Sequence, residues 1–187
     1  MSATTPAEGG YTSTAKILHW IVAPVVVLQI AGGVSLDLMA DGPTKDWFYD
    51  LHKSTGVLIL ALMVARLAWR LAVPPPPPEP TLERWQIGLS HATHWALYLI
   101  LLAMPLLGWI GSNAFGAPVP VFGLFEMPRI VGEDKELSKA VLGWHAALGF
   151  TGAGLIALHV AAALFHRFVR KDAVLARMTT APAIREG

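Results

Sequence analysis

Four long apolar stretches divide the chain. They run from about Ile17 to Leu38, from about Ser54 to Val73, from about Trp95 to Ile110, and from about Val141 to Phe168; mildly polar residues extend the third to about 91–112. A helix needs roughly 20 mostly apolar residues to cross the hydrocarbon of a bilayer, so each stretch predicts one spanning helix. Pro24 and Pro105 fall inside the first and third stretches. A helical bundle tolerates them, because its neighbours satisfy the freed backbone groups. The first stretch is too long for the apolar part of a signal peptide, and no strongly basic segment precedes it. The pattern predicts an all-α transmembrane four-helix bundle over residues 16–178, with tails at 1–15 and 179–187.

The connections differ in character. Segment 37–50 carries Asp37, Asp41, Asp46 and Asp50 and is expected to be a solvated loop. Pro74 to Pro78 and Pro80 cannot continue a helix, and they favour a stiff polyproline II strap. Segment 113–140 places Pro118, Pro120 and Pro128 among Val119, Val121, Phe122, Leu124 and Phe125, and is expected to lie along the outer membrane surface.

Composition agrees with a membrane chain: 54% of residues are hydrophobic and 14% charged, where an average soluble domain has about 25% charged. A net charge of +1 gives no footprint for nucleic acid. No cysteine is present, which excludes disulfides, iron–sulfur clusters, thiolate haem ligation and covalent c-type attachment. Four spans put both ends on one side. Lys16, Arg66, Arg70, Arg84, Arg167, Arg170, Lys171, Arg177 and Arg185 lie toward that side, and Lys45, Lys53, Arg129, Lys135 and Lys139 lie toward the other. Basic residues concentrate on the cytoplasmic side of membrane proteins, so both termini are expected in the cytoplasm.

An ionisable side chain inside a span marks a functional site by default, because burying it costs free energy unless it finds a partner. His145 and His159 stand fourteen residues apart on the fourth span. At 3.6 residues per turn and 1.5 Å per residue they share one face and are separated by about 21 Å along it. His19 starts the first span at the inner depth of His159; His52 opens the second at the outer depth of His145. Depth therefore permits the pairs His19 with His159 and His52 with His145. Two neutral imidazoles facing each other suit the two axial positions of a haem iron. Zinc wants four ligands at one site, and these ligands are spread along the helix. A single intramembrane histidine can equally serve as an interhelical hydrogen-bonding group; the matched set is what points to two haems.

Other residues suit such a bundle. Arg66 shares the face of His52 at the inner depth and is a candidate partner for haem propionates. Arg70, one turn on, can do the same or extend its head to the membrane surface. Gly143, Gly149, Gly152 and Gly154 allow close approach of a macrocycle or of a neighbouring helix. Trp20, Trp69, Trp95, Trp109 and Trp144 read as interface anchors. His91, His94 and His166 lie toward the inner surface, where an imidazole can pass protons near neutral pH. Exposed interfacial positions are the plainer expectation for His91 and His94. His166 competes with His159 as ligand, but only His159 has apolar residues on both sides.

The chain resembles the bacterial cytochrome b561 family of small four-helix di-haem membrane proteins. The likeness runs from about Lys16 to Met178. It rests on Lys16-Ile-Leu-His19-Trp20, Leu51-His52-Lys53-Ser54-Thr55-Gly56, Leu62-Met-Val-Ala-Arg66-Leu67, Gly88-Leu-Ser-His91, Trp144-His145 and Leu158-His159-Val-Ala-Ala-Ala-Leu-Phe-His166. The family's axial ligands fall on His19, His52, His145 and His159. The resemblance implies two non-covalent haem b groups in a bacterial inner-membrane protein of the respiratory chain. It implies a quinone-linked oxidoreductase that takes electrons from a periplasmic one-electron donor, superoxide in some members, and delivers them to ubiquinone. His166, His91, Arg66 and Arg70 become the quinone-side candidates. A haem-bearing membrane-anchor subunit of a larger dehydrogenase or hydrogenase is the alternative. The outer segments carry eight acids against five bases, so an anionic donor would need those bases to cluster locally.

Overall fold

Thr12 opens the first helix by accepting a 3.3 Å hydrogen bond from the Ala15 amide through Oγ1, and α1 runs over Ser13–Leu36. The computed structural model describes residues 9–182. After Gly42, Pro43 sits in the first turn of α2, Pro43–Ala72, where its missing N–H costs nothing. Asp46 lies in the same turn and favours the positive end of the helix dipole. The expected solvated loop over 37–50 is thus mostly helix; only 37–42 is a connection. Asp46 and Asp50 belong to the start of that helix, whereas Asp37 and Asp41 stay in the connection. His52 consequently lies well inside α2 instead of opening it.

The proline strap leads to Glu83, whose side chain and that of Gln86 form a reciprocal capping box for α3, Arg84–Phe115. This helix ends at Gly116 in the left-handed conformation, φ 92°. Asp134 caps α4, Lys135–Phe165, through a 3.0 Å bond from the Leu137 amide. A π-helical turn, His166–Arg170, continues α4. Pro24 and Pro105 lie inside α1 and α3. Between α3 and α4 a short hairpin pairs β1, Pro120–Val121, with β2, Phe125–Glu126. Ser54 of α2 pins it: Oγ accepts from the Phe122 amide at 3.0 Å and lies 3.0 Å from the Pro120 carbonyl.

All four helices are long and apolar enough to cross a membrane. α1 packs on α2, α2 on α3 and α3 on α4. Successive helices run antiparallel: Trp69 near the end of α2 reaches Thr12 at the start of α1, while Gln29 late in α1 reaches His52 early in α2. The buried core is small, formed by Val22, Val26, Ile59, Met63 and Tyr98. Leu28, Leu99, Phe150 and Leu158 remain about two-thirds or more exposed, which suits lipid as the surrounding solvent. One end of the bundle, here the terminal face, carries residues 9–12 and 171–182. The opposite end, the loop face, carries the hairpin.

Candidate functional site

α4 presents two imidazoles, and each faces one from another helix. His145 meets His52 of α2 with ring centroids 6.2 Å apart and planes at 72°. His159 meets His19 of α1 at 6.3 Å and 74°. A metal–imidazole bond is about 2 Å long and an imidazole nitrogen sits about 1.1 Å from its ring centre, so a metal shared by two facing rings separates their centroids by about 6.2 Å. Both pairs have that spacing. Among the described residues no group of three or more His, Asp or Glu side chains is placed to hold a metal ion. The pairs thus fit a metal whose remaining ligands come from a macrocycle.

The backbone prepares the loop-face pair. Nδ1 of His145 lies 3.0 Å from the Met104 carbonyl oxygen. A carbonyl can only accept, so Nδ1 carries the proton and Nε2 keeps its lone pair for a ligand. Gln29 Nε2 donates to the His52 carbonyl at 2.8 Å and fixes the turn that carries that imidazole. Nδ1 of His52 is buried without a hydrogen-bond partner, so no protein group competes for that nitrogen. Glycine leaves room beside both rings. A Cβ at Gly33 would stand 3.0 Å from His52 Cε1, and one at Gly108 would stand 3.3 Å from His145 Cε1. By contrast, Gly149 and Gly152 face Met104 and Ile100 of α3, and Gly143 and Gly154 face open space. Close approach to the imidazoles is provided from α1 and α3, while Gly149 and Gly152 on α4 serve helix packing.

The terminal-face pair has more company. His94 of α3 turns inward, its ring 5.3 Å from that of His159 and its Nδ1 3.4 Å from Ser90 Oγ. The expectation of an exposed interfacial position fails for His94 and holds for His91, which is exposed. Arg66 donates through Nε to the Tyr98 hydroxyl at 3.1 Å, while its Nη1 is buried without a partner. Its guanidinium is within electrostatic reach of His19, His94 and His159. An orphaned guanidinium nitrogen beside an imidazole pair is the partner a carboxylate would take. Arg70 lies 5.5 Å over the Trp95 ring and 5.7 Å over that of Tyr98. His166 stands apart, donating from Nδ1 to Asp172 at 2.6 Å.

The loop-face bases do not form a bare positive funnel. Lys45 pairs with Asp41 at 2.9 Å, Lys53 with Asp50 at 2.7 Å and Arg129 with Glu133 at 3.6 Å. The Lys45 ammonium holds the Asp41 carboxyl below the usual carboxylate range. Lys135 bonds the Phe115 carbonyl at 2.6 Å. Among the described residues, the side chain of Lys139 alone of the five makes no ion pair or hydrogen bond.

Four spanning helices whose interior imidazoles face one another in pairs are a framework suited to a membrane haem protein. Comparison with known proteins defines the class: a profile of the prokaryotic cytochrome b561 family matches residues 10–181, and the chain belongs to that family. It is 34% identical to cytochrome b561 homolog 2 of Escherichia coli K12, over 93% of this chain and 92% of the relative. It is 32% identical to the probable superoxide oxidase CybB of Yersinia pestis, over 86% and 90%. Cytochrome b562 of Cereibacter sphaeroides matches at 28%, over 91% and 96%. The protein is therefore a bacterial multi-pass membrane cytochrome that binds b-type haem and transfers electrons.

Proposed function

We propose that this cytochrome holds two haem b groups, one between His52 and His145 and one between His19 and His159, and carries electrons from a periplasmic one-electron donor to ubiquinone. The observation that carries this reading is the equal 6.2 and 6.3 Å spacing of two imidazole pairs at the two ends of α4. Their separation along α4, about 21 Å by helix rise, spans most of a bilayer. With the basic bias of the terminal face, the protein lies in the inner membrane with both termini in the cytoplasm. The loop face is then periplasmic.

When bound, a bis-imidazole b haem supplies a one-electron couple tuned by its surroundings. The chain's own residues position and shield it. Met104 orients the His145 imidazole, Gln29 fixes the backbone that carries His52, and Gly33 and Gly108 leave both rings room. Arg66, through its orphaned Nη1, would hold a propionate at the terminal-face site, with Arg70 as second cation. His91, exposed at that face, passes protons to a reduced quinone; His166 keeps only Nε2 for the same task, because Asp172 occupies Nδ1.

Superoxide is the donor that similarity to the Yersinia protein supports. The paired loop-face bases add little, since a steering field needs uncompensated charge. Purified protein mixed with superoxide and ubiquinone should form quinol above the spontaneous rate. No excess quinol would remove superoxide as donor while leaving the haem sites standing. A membrane-anchor role in a larger dehydrogenase or hydrogenase is the second reading. The exposed hairpin residues Phe122, Leu124 and Phe125 favour it as a landing surface, and it predicts a redox subunit that co-purifies.

A further inference from the structure

α1 and α4 carry the facing rings of His19 and His159, yet among the described residues they make no close packing like that of α1 on α2 or α3 on α4. The chain bridges this gap at the terminal face. The π turn after α4 ends at Lys171 with φ 56°. Asp172 then ties the next segment to α4. Its carboxylate accepts from His166 Nδ1 at 2.6 Å, pairs with Arg170 Nε at 3.4 Å and accepts from the Val174 amide at 3.1 Å. Its amide donates to the His166 carbonyl at 3.2 Å.

The far end of the segment is tied to α1 and the residues just before it. Lys16 Nζ donates to the Ala181 carbonyl at 2.6 Å, and Trp20 Nε1 donates to that of Met178 at 3.0 Å. The Tyr11 amide donates to the Arg177 carbonyl at 2.9 Å, and the Gly10 amide to that of Pro182 at 2.7 Å. Lys16, His19 and Trp20 lie at i, i+3 and i+4, so they share one helix face, and the Trp20 ring stands 5.1 Å from that of His19. The residues that grip the segment therefore flank the imidazole. A parallel exists at the loop face, where Lys53 and Ser54, next to His52, grip the carbonyls of Pro118 and Pro120.

We propose that segment 172–182 is a clamp that ties α4 to α1 beneath the His19–His159 pair and retains the haem held there, with Asp172, Lys16 and Trp20 as its positioning residues. The clamp rests on the reading of His19 and His159 as an axial pair. Its grip on α1 uses backbone carbonyls of the segment and so depends on the donors of α1; of the segment's own side chains, Asp172 makes the tie to α4 and Arg177 Nε donates to the Gly9 carbonyl at 3.3 Å.

The test measures transfer of haem from detergent-solubilised protein to excess apomyoglobin. A His52→Ala background isolates the terminal-face haem, and a His19→Ala background isolates the loop-face haem. Asp172→Ala, and Lys16→Met combined with Trp20→Phe, should each accelerate loss of the terminal-face haem on the order of tenfold, the factor carried by about 1.4 kcal/mol. Loss of the loop-face haem should stay as it was, and Lys16→Arg should retain the terminal-face haem as the parent does. An unchanged rate in both variants would overturn the clamp. Equal acceleration of both haems would also overturn it, because that marks general loosening of the bundle. If His19→Ala itself removes no haem, the pairing fails first, and that result is distinct from failure of the clamp.

Discussion

Nδ1 of His145 donates to the Met104 carbonyl on the neighbouring helix at 3.0 Å. This one bond sets the tautomer of the imidazole and leaves its other nitrogen with a free lone pair. The backbone of α3 thus decides what a side chain of α4 can ligate. Removing either member of the pair should empty one site. His52→Ala or His145→Ala is expected to halve the haem bound per chain, measured by pyridine haemochrome. Full haem content in both would break the pair.

Space beside the ring matters as much as its orientation. Gly33→Val puts a branched side chain where even a Cβ would stand 3.0 Å from His52 Cε1. Gly32→Val, at a position whose Cβ meets nothing within 4 Å, has the same effect on helix propensity. The first variant should lose the loop-face haem and the second should keep both. Equal haem content in the two would show that Gly33 leaves no needed room.

Three histidines compete at the terminal face. His159→Ala should cost one haem, whereas His94→Ala and His166→Ala should keep two. Retention of two haems in His159→Ala with loss in His94→Ala would hand the ligand role to His94, whose ring is 5.3 Å away.

The unpartnered Nη1 of Arg66 carries an electrostatic prediction. Reduction adds negative charge to a haem, and a nearby cation stabilises that state. Arg66→Met should lower the midpoint potential of the terminal-face haem by about 50 mV, equivalent to about 1.2 kcal/mol for one electron. Tyr98→Phe removes only a neutral hydrogen-bond partner and should shift it much less. Potentiometric titration followed optically separates the two outcomes.

Ser54 offers a test of stability away from the imidazoles. Ser54→Ala leaves the Phe122 amide without its acceptor, at a cost of about 1–3 kcal/mol if the amide stays buried. The hairpin should become protease-sensitive, and the thermal midpoint should fall. A hairpin as resistant as in the parent protein would show that other contacts hold it.

Helix geometry explains how much of this the sequence disclosed. Rise and turn are fixed, so spacing alone placed His145 and His159 on one face and matched His19 and His52 to them in depth. The helical start at Pro43 was harder to see, because the aspartates that mark a solvated loop also favour the first turns of a helix. The Gly42–Pro43 junction was the available signal. His94 escaped because a lipid-exposed helix is apolar on many sides, and the pattern does not say which side meets its neighbours. Gln29 acts on a backbone carbonyl and Gly33 acts through an absent side chain, neither of which leaves a chemical signature. The segment over 172–182 was invisible for a similar reason: every residue supplies a carbonyl, and only the fold decides which ones Lys16 and Trp20 reach.

The most direct measurement is the haem content of the purified protein with its reduced absorption spectrum. Two bis-imidazole sites predict a b-type spectrum and about two haems per chain. One haem per chain, or a spectrum of exchangeable high-spin haem, would contradict the two facing pairs as ligand sites.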